Sequence, residues 1–146
     1  MKDYKEMAWL IERIIHKYVQ FEKKPQRYLK DLMLTQTEIH TVTIVGDYPG
    51  INVTGLAKMR GITKGAASQM VYKLVDKGLI RKETSPDSDA AVSLFLTELG
   101  EKARDEHRKI HESKGARFAA VLSDMPDDLS KRMIEFLKAF EAELDN

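Results

Sequence analysis

The stretch that decides the fold runs from Thr54 to Gly100 and reads TGLAKMRGITKGAASQMVYKLVDKGLIRKETSPDSDAAVSLFLTELG. Its order is helix, tight turn, helix, strand, charged turn and strand. Thr54 is placed to cap the first helix, and Gly61 ends it. Leu56 and Ala57 face inward. This order predicts a winged helix-turn-helix, a mainly α fold with a small β-wing, and makes sequence-directed DNA binding the first hypothesis.

The second helix of this stretch has two unlike faces. Thr63 is placed to cap it, and Gly78 ends it. One face is apolar at helical spacing and is predicted to pack inward: Ala67, Met70, Val71, Leu74 and Val75. The other face carries small, polar and cationic residues: Lys64, Gly65, Ala66, Ser68, Gln69, Tyr72 and Lys73. Small residues let the backbone approach DNA, Gln69 and Ser68 suit base edges, and lysines neutralise phosphate, so this face fits a major groove.

A hairpin and a concentration of positive charge complete the pattern. The strands LIRKET and AVSLFLT flank the turn residues SPDSD, which predicts the wing. Residues 54–84 hold seven cationic and two anionic residues, whereas the whole chain carries a net charge of only +1. The candidate DNA-contacting residues are Thr63, Lys64, Gly65, Ala66, Ser68, Gln69, Tyr72, Lys73, Arg81 and Lys82. A solvated helix-hairpin domain with scattered lysines is the alternative.

Length and composition indicate one domain and exclude several functions. The 146 residues, 42% of them hydrophobic, suffice for a single core. The chain has no cysteine, so a disulfide framework, a thiolate nucleophile and a cysteine redox switch are excluded. It has no phosphate-cradling glycine motif and no Ser-x-Gly elbow. Its first residues, MKDYKEMAWL, lack the apolar run expected of a signal peptide, and its longest apolar run, FAAVL, is too short to span a bilayer. We expect a cytoplasmic protein that is not an enzyme and has no catalytic residues.

Amphipathic helices are predicted at both ends of the chain. The apolar stripe of the first comprises Met7, Ile11, Ile14, Tyr18 and Phe21. The stripe of the last comprises Leu129, Met133, Phe136, Leu137, Phe140 and Leu144. Because one winged domain leaves such stripes uncovered, we expect an intertwined homodimer, with packing within one subunit as the alternative. Residues 1–34 and 101–146 are then dimerisation helices, and residues 35–100 form the DNA-binding region.

The middle of the chain gives mixed signals. Thr35 and Glu38 form a capping box that opens a helix, although the β-branched run from Thr41 to Val45 also suits a strand. The capping box favours the helix. A turn at residues 47–50 and a short strand at residues 51–53 are expected next. A long helix is predicted from Thr97.

The run from Thr63 to Gly100 resembles the recognition helix, wing and following helix of MarR-type regulators, and LTQTEIHTVTIV resembles their second helix. The resemblance covers nearly the whole chain and implies a homodimer that reads a pseudo-palindromic double-stranded operator. Family wings usually carry an arginine at the tip, where this chain has Asp87 and Asp89. Arg60 is a second departure, because that position is commonly apolar in the family.

Three of the four histidines indicate a metal site. His107 and His111 are four residues apart on one predicted helix, a spacing that suits chelation of one ion. With Glu22 and His40, the set resembles the zinc-uptake repressors of the MarR family. That resemblance implies zinc as an effector bound by Glu22, His40, His107 and His111. The cysteine that forms a second site in some relatives is absent, and that region of this chain offers Tyr28.

Other functions remain open at this point. The histidines also fit a solvated helix face. A small aromatic or phenolic effector is the main alternative to zinc, bound in a cleft between dimerisation helices and winged region. Trp9, Tyr18 and Tyr28 would line that cleft. Because the wing tip lacks arginine, a winged-helix module that binds protein, and DNA only weakly, is a further alternative.

Overall fold

The computed structural model describes residues 3–85 and 88–145. The chain divides into two compact units, Met1–His107 and Arg108–Asn146, and each is described by itself. The elements are, in order, α1 (Tyr4–Lys23), β1 (Pro25–Tyr28), β2 (Leu32–Thr35), α2 (Gln36–Asp47), α3 (Val53–Arg60), α4 (Lys64–Asp76), β3 (Ile80–Ser85), β4 (Ser88–Leu96), α5 (Glu98–Ser123) and α6 (Asp127–Leu144). The predicted fold class, mainly α with a small β-wing, is confirmed.

The helix-turn-helix forms from α3 and α4, and its caps differ in part from the prediction. Gly61 ends α3 with a positive φ of 66°, and the Thr63 hydroxyl accepts the Ala66 N–H at 3.1 Å, both as expected. The cap of α3 was predicted wrongly. Asn52, and not Thr54, caps this helix, because its side-chain oxygen accepts the Gly55 N–H at 2.7 Å.

The helix predicted from the capping box is confirmed as α2. The Thr35 hydroxyl accepts the Glu38 N–H at 3.2 Å, and the Glu38 carboxylate accepts the Thr35 N–H at 3.3 Å. The β-branched run therefore lies in a helix. The strand expected at residues 51–53 is wrong, since Ile51 makes only an isolated bridge to Leu94 and α3 already begins at Val53.

The core of the first unit surrounds α2, which packs against α1, β2, α3, α4 and β4. Its buried apolar residues are Tyr28, Leu34, Ile39, Val42, Val45, Leu56, Ala57, Ala67, Val71, Leu74, Leu79, Ile80, Leu94 and Ala103. Each large side chain buried in this way stabilises the fold by roughly 1.5–3 kcal/mol. This core fixes the position of α4 and leaves its outer face exposed.

The wing is the antiparallel pair of β3 and β4, with Ile80 opposite Leu96 and Lys82 opposite Leu94. Its base lies very close to the start of α5. A Cβ on Gly100 would lie 2.2 Å from the Leu79 carbonyl oxygen, so only glycine fits there. The Thr97 hydroxyl caps α5 by accepting the Gly100 N–H at 3.1 Å. The wing base and the first turn of α5 are therefore in direct contact.

A two-stranded hairpin, β1–β2, joins α1 to α2 and was not predicted. Its turn contains Leu29, whose φ of 55° is rare for a residue with a side chain. The Leu29 N–H donates a hydrogen bond of 2.8 Å to the Glu106 carboxylate on α5. This bond, from a residue distant in sequence, contributes to holding the turn in its unusual conformation.

Both terminal helices have apolar stripes and, among their described side chains, no buried residue. Exposed large apolar residues of α1 are Tyr4, Met7, Trp9, Leu10, Ile14, Ile15, Tyr18, Val19 and Phe21, and those of α6 are Leu129, Met133, Ile134, Phe136, Leu137 and Leu144. On α6 the Phe136 and Phe140 rings stack with centroids 6.2 Å apart. In the described part of the chain, no helix combines the length and apolar character needed to cross a membrane.

Candidate functional site

The outer face of α4 presents the predicted DNA-contacting residues to solvent. Thr63 and the polar-face residues Lys64, Gly65, Ala66, Ser68, Gln69, Tyr72 and Lys73 are exposed. Ala67, Val71 and Leu74 are buried on the opposite face. Tyr72 is 70% exposed, so most of its ring is accessible on this face. The face has the composition that groove binding needs, and the roles of its residues stay predictions.

Lys77, one of the seven cationic residues of this region, points away from that face. Its ammonium donates to the Glu38 carboxylate at 2.8 Å and to the Met33 carbonyl at 3.2 Å. Glu38 is only about one-tenth exposed and also belongs to the capping box of α2. Lys77 therefore stabilises the joint between α4 and α2.

At the base of the wing, Arg81 and Lys82 are both exposed. Arg81 forms an ion pair with Glu83, and its guanidinium lies 4.7 Å from the centre of the Phe95 ring. These contacts orient Arg81 and reduce its freedom to reach phosphate. At the predicted wing tip, Asp87 and the Asp89 side chain lie outside the described residues.

Two of the predicted metal ligands lie side by side within the first unit. His40 on α2 and His107 on α5 have ring centroids 5.5 Å apart, and the nitrogens they offer as ligands lie within 4.8 Å of each other. His107 is buried, with 6% exposure. The Tyr28 hydroxyl lies 3.3 Å from its Nδ1, which restrains the orientation of the ring.

His111 follows His107 by one turn along α5, a sequence spacing that suits chelation of one ion. Its side chain is exposed. The His40 and His107 nitrogens, within 4.8 Å of each other, can share one ion, since Zn²⁺ bonds to nitrogen at about 2.0–2.1 Å. The donor set that the chain offers therefore fits zinc, which prefers nitrogen, sulfur and carboxylate ligands.

Glu22, the fourth predicted ligand, does not join the histidines. Its carboxylate lies 3.6 Å from a terminal nitrogen of Arg60, at the end of α3. Tyr18 lies one turn earlier on α1. Burial raises the pKa of Tyr18, and the negative charge of Glu22 raises it further, while Arg60 opposes the shift. As a zinc ligand, Glu22 would have to leave Arg60.

The aromatic residues proposed for an effector cleft do not form one within α1 and the hairpin. Tyr28 is fully buried, and burial also raises the pKa of its hydroxyl. Trp9 and Tyr18 lie exposed on α1. Three open grooves of about 330–470 Å³ follow α1; Trp9 lines two of them, and neither tyrosine lines any.

Sequence reasoning missed the long-range partners of this region. Tyr28 beside His107, Lys77 beside Glu38 and Arg60 beside Glu22 each join residues at least 38 positions apart. Helical periodicity has no information about such pairs. The unexpected arginine at position 60 was the one available signal.

Comparisons with known proteins agree with this geometry. The MarR family model matches residues 34–89. The HTH-type transcriptional regulator YhjH of Bacillus subtilis is 30% identical over 121 residues, covering 75% of this chain and 69% of YhjH. The structure of Streptococcus pneumoniae FabT in complex with DNA has a TM-score of 0.70 at 21% identity and covers 98% of each chain. The zinc-responsive MarR family member ZitR of Lactococcus lactis has a TM-score of 0.68 at 18% identity, covering 96% of this chain and 97% of ZitR. The chain belongs to the MarR family of DNA-binding transcriptional regulators.

Proposed function

We propose that this regulator is a homodimeric repressor that binds a pseudo-palindromic operator and that zinc controls its affinity for DNA. The observation that carries the zinc proposal is the pairing of His40 with the buried His107, at the joint between α2 and α5. Repression would follow from occlusion of the promoter by the bound protein.

The exposed face of α4 supports the DNA-binding mode. Gln69 and Ser68 have the donors and acceptors that base edges require, and Lys64 and Lys73 supply charge for phosphate. Gly65 and Ala66, near the start of the helix, allow its backbone to approach the groove. Lys82 is exposed at the wing base and would add a further phosphate contact.

The apolar stripes on α1 and α6 support the dimer. A soluble monomer rarely exposes long apolar patches, because water covers them at a free-energy cost. A two-fold dimer would cover them and would present two α4 helices. Such helices contact half-sites about one helical turn, or a multiple of it, apart.

The proposed effector site is the histidine cluster, His40, His107 and His111. Two of these residues are brought together in the first unit, and the third lies one turn along α5. Bound zinc would supply a fixed bridge between imidazoles of different helices. Through that bridge, His40 and His107 would hold α2 against α5, and α2 packs directly on α4. A change in the geometry of α4 would then change DNA affinity. That ZitR is described as zinc-responsive supports this choice of metal.

The test is operator affinity with added Zn²⁺ and with a chelator. The proteins compared are wild type, the double variant His107→Ala with His111→Ala, and the control His16→Ala, whose histidine lies on α1. Wild type and control should change affinity about fivefold or more between the two conditions, and the double variant should not. Equal affinities, with no metal by elemental analysis, would reject zinc and favour the aromatic effector.

Footprinting tests the proposed binding to a pseudo-palindromic operator, and sedimentation tests the proposed dimer. Two protected half-sites related by a two-fold axis are expected on DNA flanking the gene. Uniform protection along the DNA would reject sequence-specific binding. Sedimentation of the free protein should give the mass of two chains, and a monomer would reject the dimer.

A further inference from the structure

The ion pair between Arg60 and Glu22 joins the end of α3 to the end of α1. Both side chains are mostly buried, with exposures of 14% and 22%. Their closest nitrogen and oxygen atoms are 3.6 Å apart. The two parallel hydrogen bonds of an ideal arginine–carboxylate pair are shorter, at about 2.7–2.9 Å. The Arg60 Nε is buried and has no hydrogen-bond partner among the described residues. The pair is therefore shielded from water but incompletely satisfied.

Glu22 lies on a helix that packs against the helix of one proposed zinc ligand. It lies in the last turn of α1, and α1 packs against α2, the helix that carries His40. The three histidines leave one position of a tetrahedral zinc site to be filled, and a carboxylate oxygen is an accepted ligand there. Glu22 is thus a suitable fourth ligand on a neighbouring helix, but its carboxylate is paired with Arg60.

We propose that Arg60 competes with zinc for the Glu22 carboxylate and thereby weakens the affinity of the histidine cluster for the metal. This inference rests on the proposed zinc site. Glu22 lies beside Arg60 and outside the histidine cluster, so its carboxylate would have to move away from Arg60 to reach the metal. Opening the ion pair leaves a largely buried guanidinium without its counter-ion. The free-energy cost of opening the ion pair therefore weakens zinc binding.

The same competition connects metal binding to the DNA-binding elements. Arg60 is the last residue of α3, and Gly61 and the cap of α4 follow within three positions. When Glu22 bonds to Arg60, it fixes α3 to α1. If Glu22 became a zinc ligand, that attachment would be lost, and α3 would keep its packing against α2, α4 and β4. Arg60 would therefore set both the zinc concentration to which the protein responds and the freedom of α3 in the metal-bound state.

The experiment measures zinc affinity of the full chain by competition with a chromogenic chelator. The variants are Arg60→Leu, which removes the competitor, and Arg60→Lys, which keeps the charge. Glu22→Gln and the double variant Glu22→Gln with Arg60→Leu complete a double-mutant cycle, which tests whether the effect of Arg60 on zinc affinity depends on the Glu22 carboxylate. Thermal unfolding without metal checks that each variant folds. We expect Arg60→Leu to tighten zinc binding about tenfold, a typical size for changes around a metal ligand. Arg60→Lys should stay near wild type.

The cycle separates the possible outcomes. If Arg60→Leu has no effect once Glu22 is Gln, the competition is supported, because the effect then depends on the carboxylate. An equal gain in both backgrounds would overturn the proposal, since it would reflect the loss of a nearby positive charge alone. Unchanged affinity in Arg60→Leu would overturn it too, while leaving the histidine site in place. Absence of zinc binding from every variant would reject the histidine site as well.

Discussion

The Lys77 ammonium lies 2.8 Å from the Glu38 carboxylate and joins the C-terminal cap of α4 to the first turn of α2. Glu38 also accepts the Thr35 N–H, so one carboxylate serves both the cap of α2 and the end of the recognition helix. The pair removes one positive charge from the surface that DNA would meet. It also distinguishes Lys77 from Lys73, one turn earlier and exposed.

Replacing Lys73 by Ala should weaken binding to all DNA sequences similarly, because a phosphate contact carries no base information. The slope of log affinity against log salt should fall in magnitude by about 0.9, the value for one lost phosphate contact. The measurement is a salt titration of operator and nonspecific DNA binding.

Lys77→Ala is the matched control. It should leave the salt slope unchanged and lower the free energy of unfolding instead, because Glu38 loses its partner in a mostly buried position. A salt slope altered as much by Lys77→Ala as by Lys73→Ala would contradict the assignment of the two lysines.

Gln69→Ala should relax specificity at one defined base pair. Loss of a good base contact typically costs about 1–3 kcal/mol of discrimination, so the preferred and mismatched operators should become nearly equal there. The measurement is affinity for a set of single-base operator variants. An unchanged ranking of those variants would mean that Gln69 does not read a base.

Asp89→Arg at the predicted wing tip should tighten DNA binding and steepen its salt dependence. The substitution removes a charge that repels phosphate and adds one suited to a narrow minor groove. The control is Asp105→Arg on α5, away from the wing in sequence. If Asp89→Arg has no effect, or weakens binding, the wing tip does not approach DNA.

Tyr28→Phe should weaken zinc binding about tenfold without removing a ligand. The Tyr28 hydroxyl is 3.3 Å from the His107 Nδ1, and groups that orient a ligating histidine usually contribute this much. Tyr72→Phe, on the exposed face of α4, should leave zinc affinity unchanged. Equal zinc affinity in Tyr28→Phe and wild type would show that His107 needs no such restraint.

Gly100→Ala should destabilise the protein by about 1–3 kcal/mol, because the added methyl group would overlap the backbone at Leu79. Gly65→Ala is the contrasting case. Its added methyl group meets nothing within 4 Å, and alanine is the better helix former by roughly 0.5–1 kcal/mol. The denaturant concentration at the unfolding midpoint should therefore fall for Gly100→Ala and rise for Gly65→Ala.

The elements set by local rules were the predictable ones. Thr63, Gly61 and the capping box of α2 act over three or four residues. Apolar spacing identified the buried face of α4 at Ala67, Val71 and Leu74, but it was wrong for Val75, which is exposed near the end of the helix. The histidine pair on α5 was visible for the same reason, because four residues make one turn.

The parts that were missed depend on distant residues. The hairpin β1–β2 has weak local signals, and its turn is held by Glu106, far along the chain. The charge count of residues 54–84 overestimates the positive charge available to DNA, because Arg60 and Lys77 form ion pairs with acidic residues of other helices. The cap of α3 is Asn52 rather than Thr54, and the preceding residue, Ile51, is bridged to the distant Leu94, a contact that local sequence rules do not reveal.

The close approach of Gly100 to Leu79 gives the beginning of α5 a mechanical role. His107 lies seven residues further along the same helix, about 10 Å by helical rise. That length of helix is stiff, and at its first turn no flexible side chain separates it from the backbone of the wing base. A shift of this part of α5 along its axis at His107 would therefore displace the wing base by a similar amount.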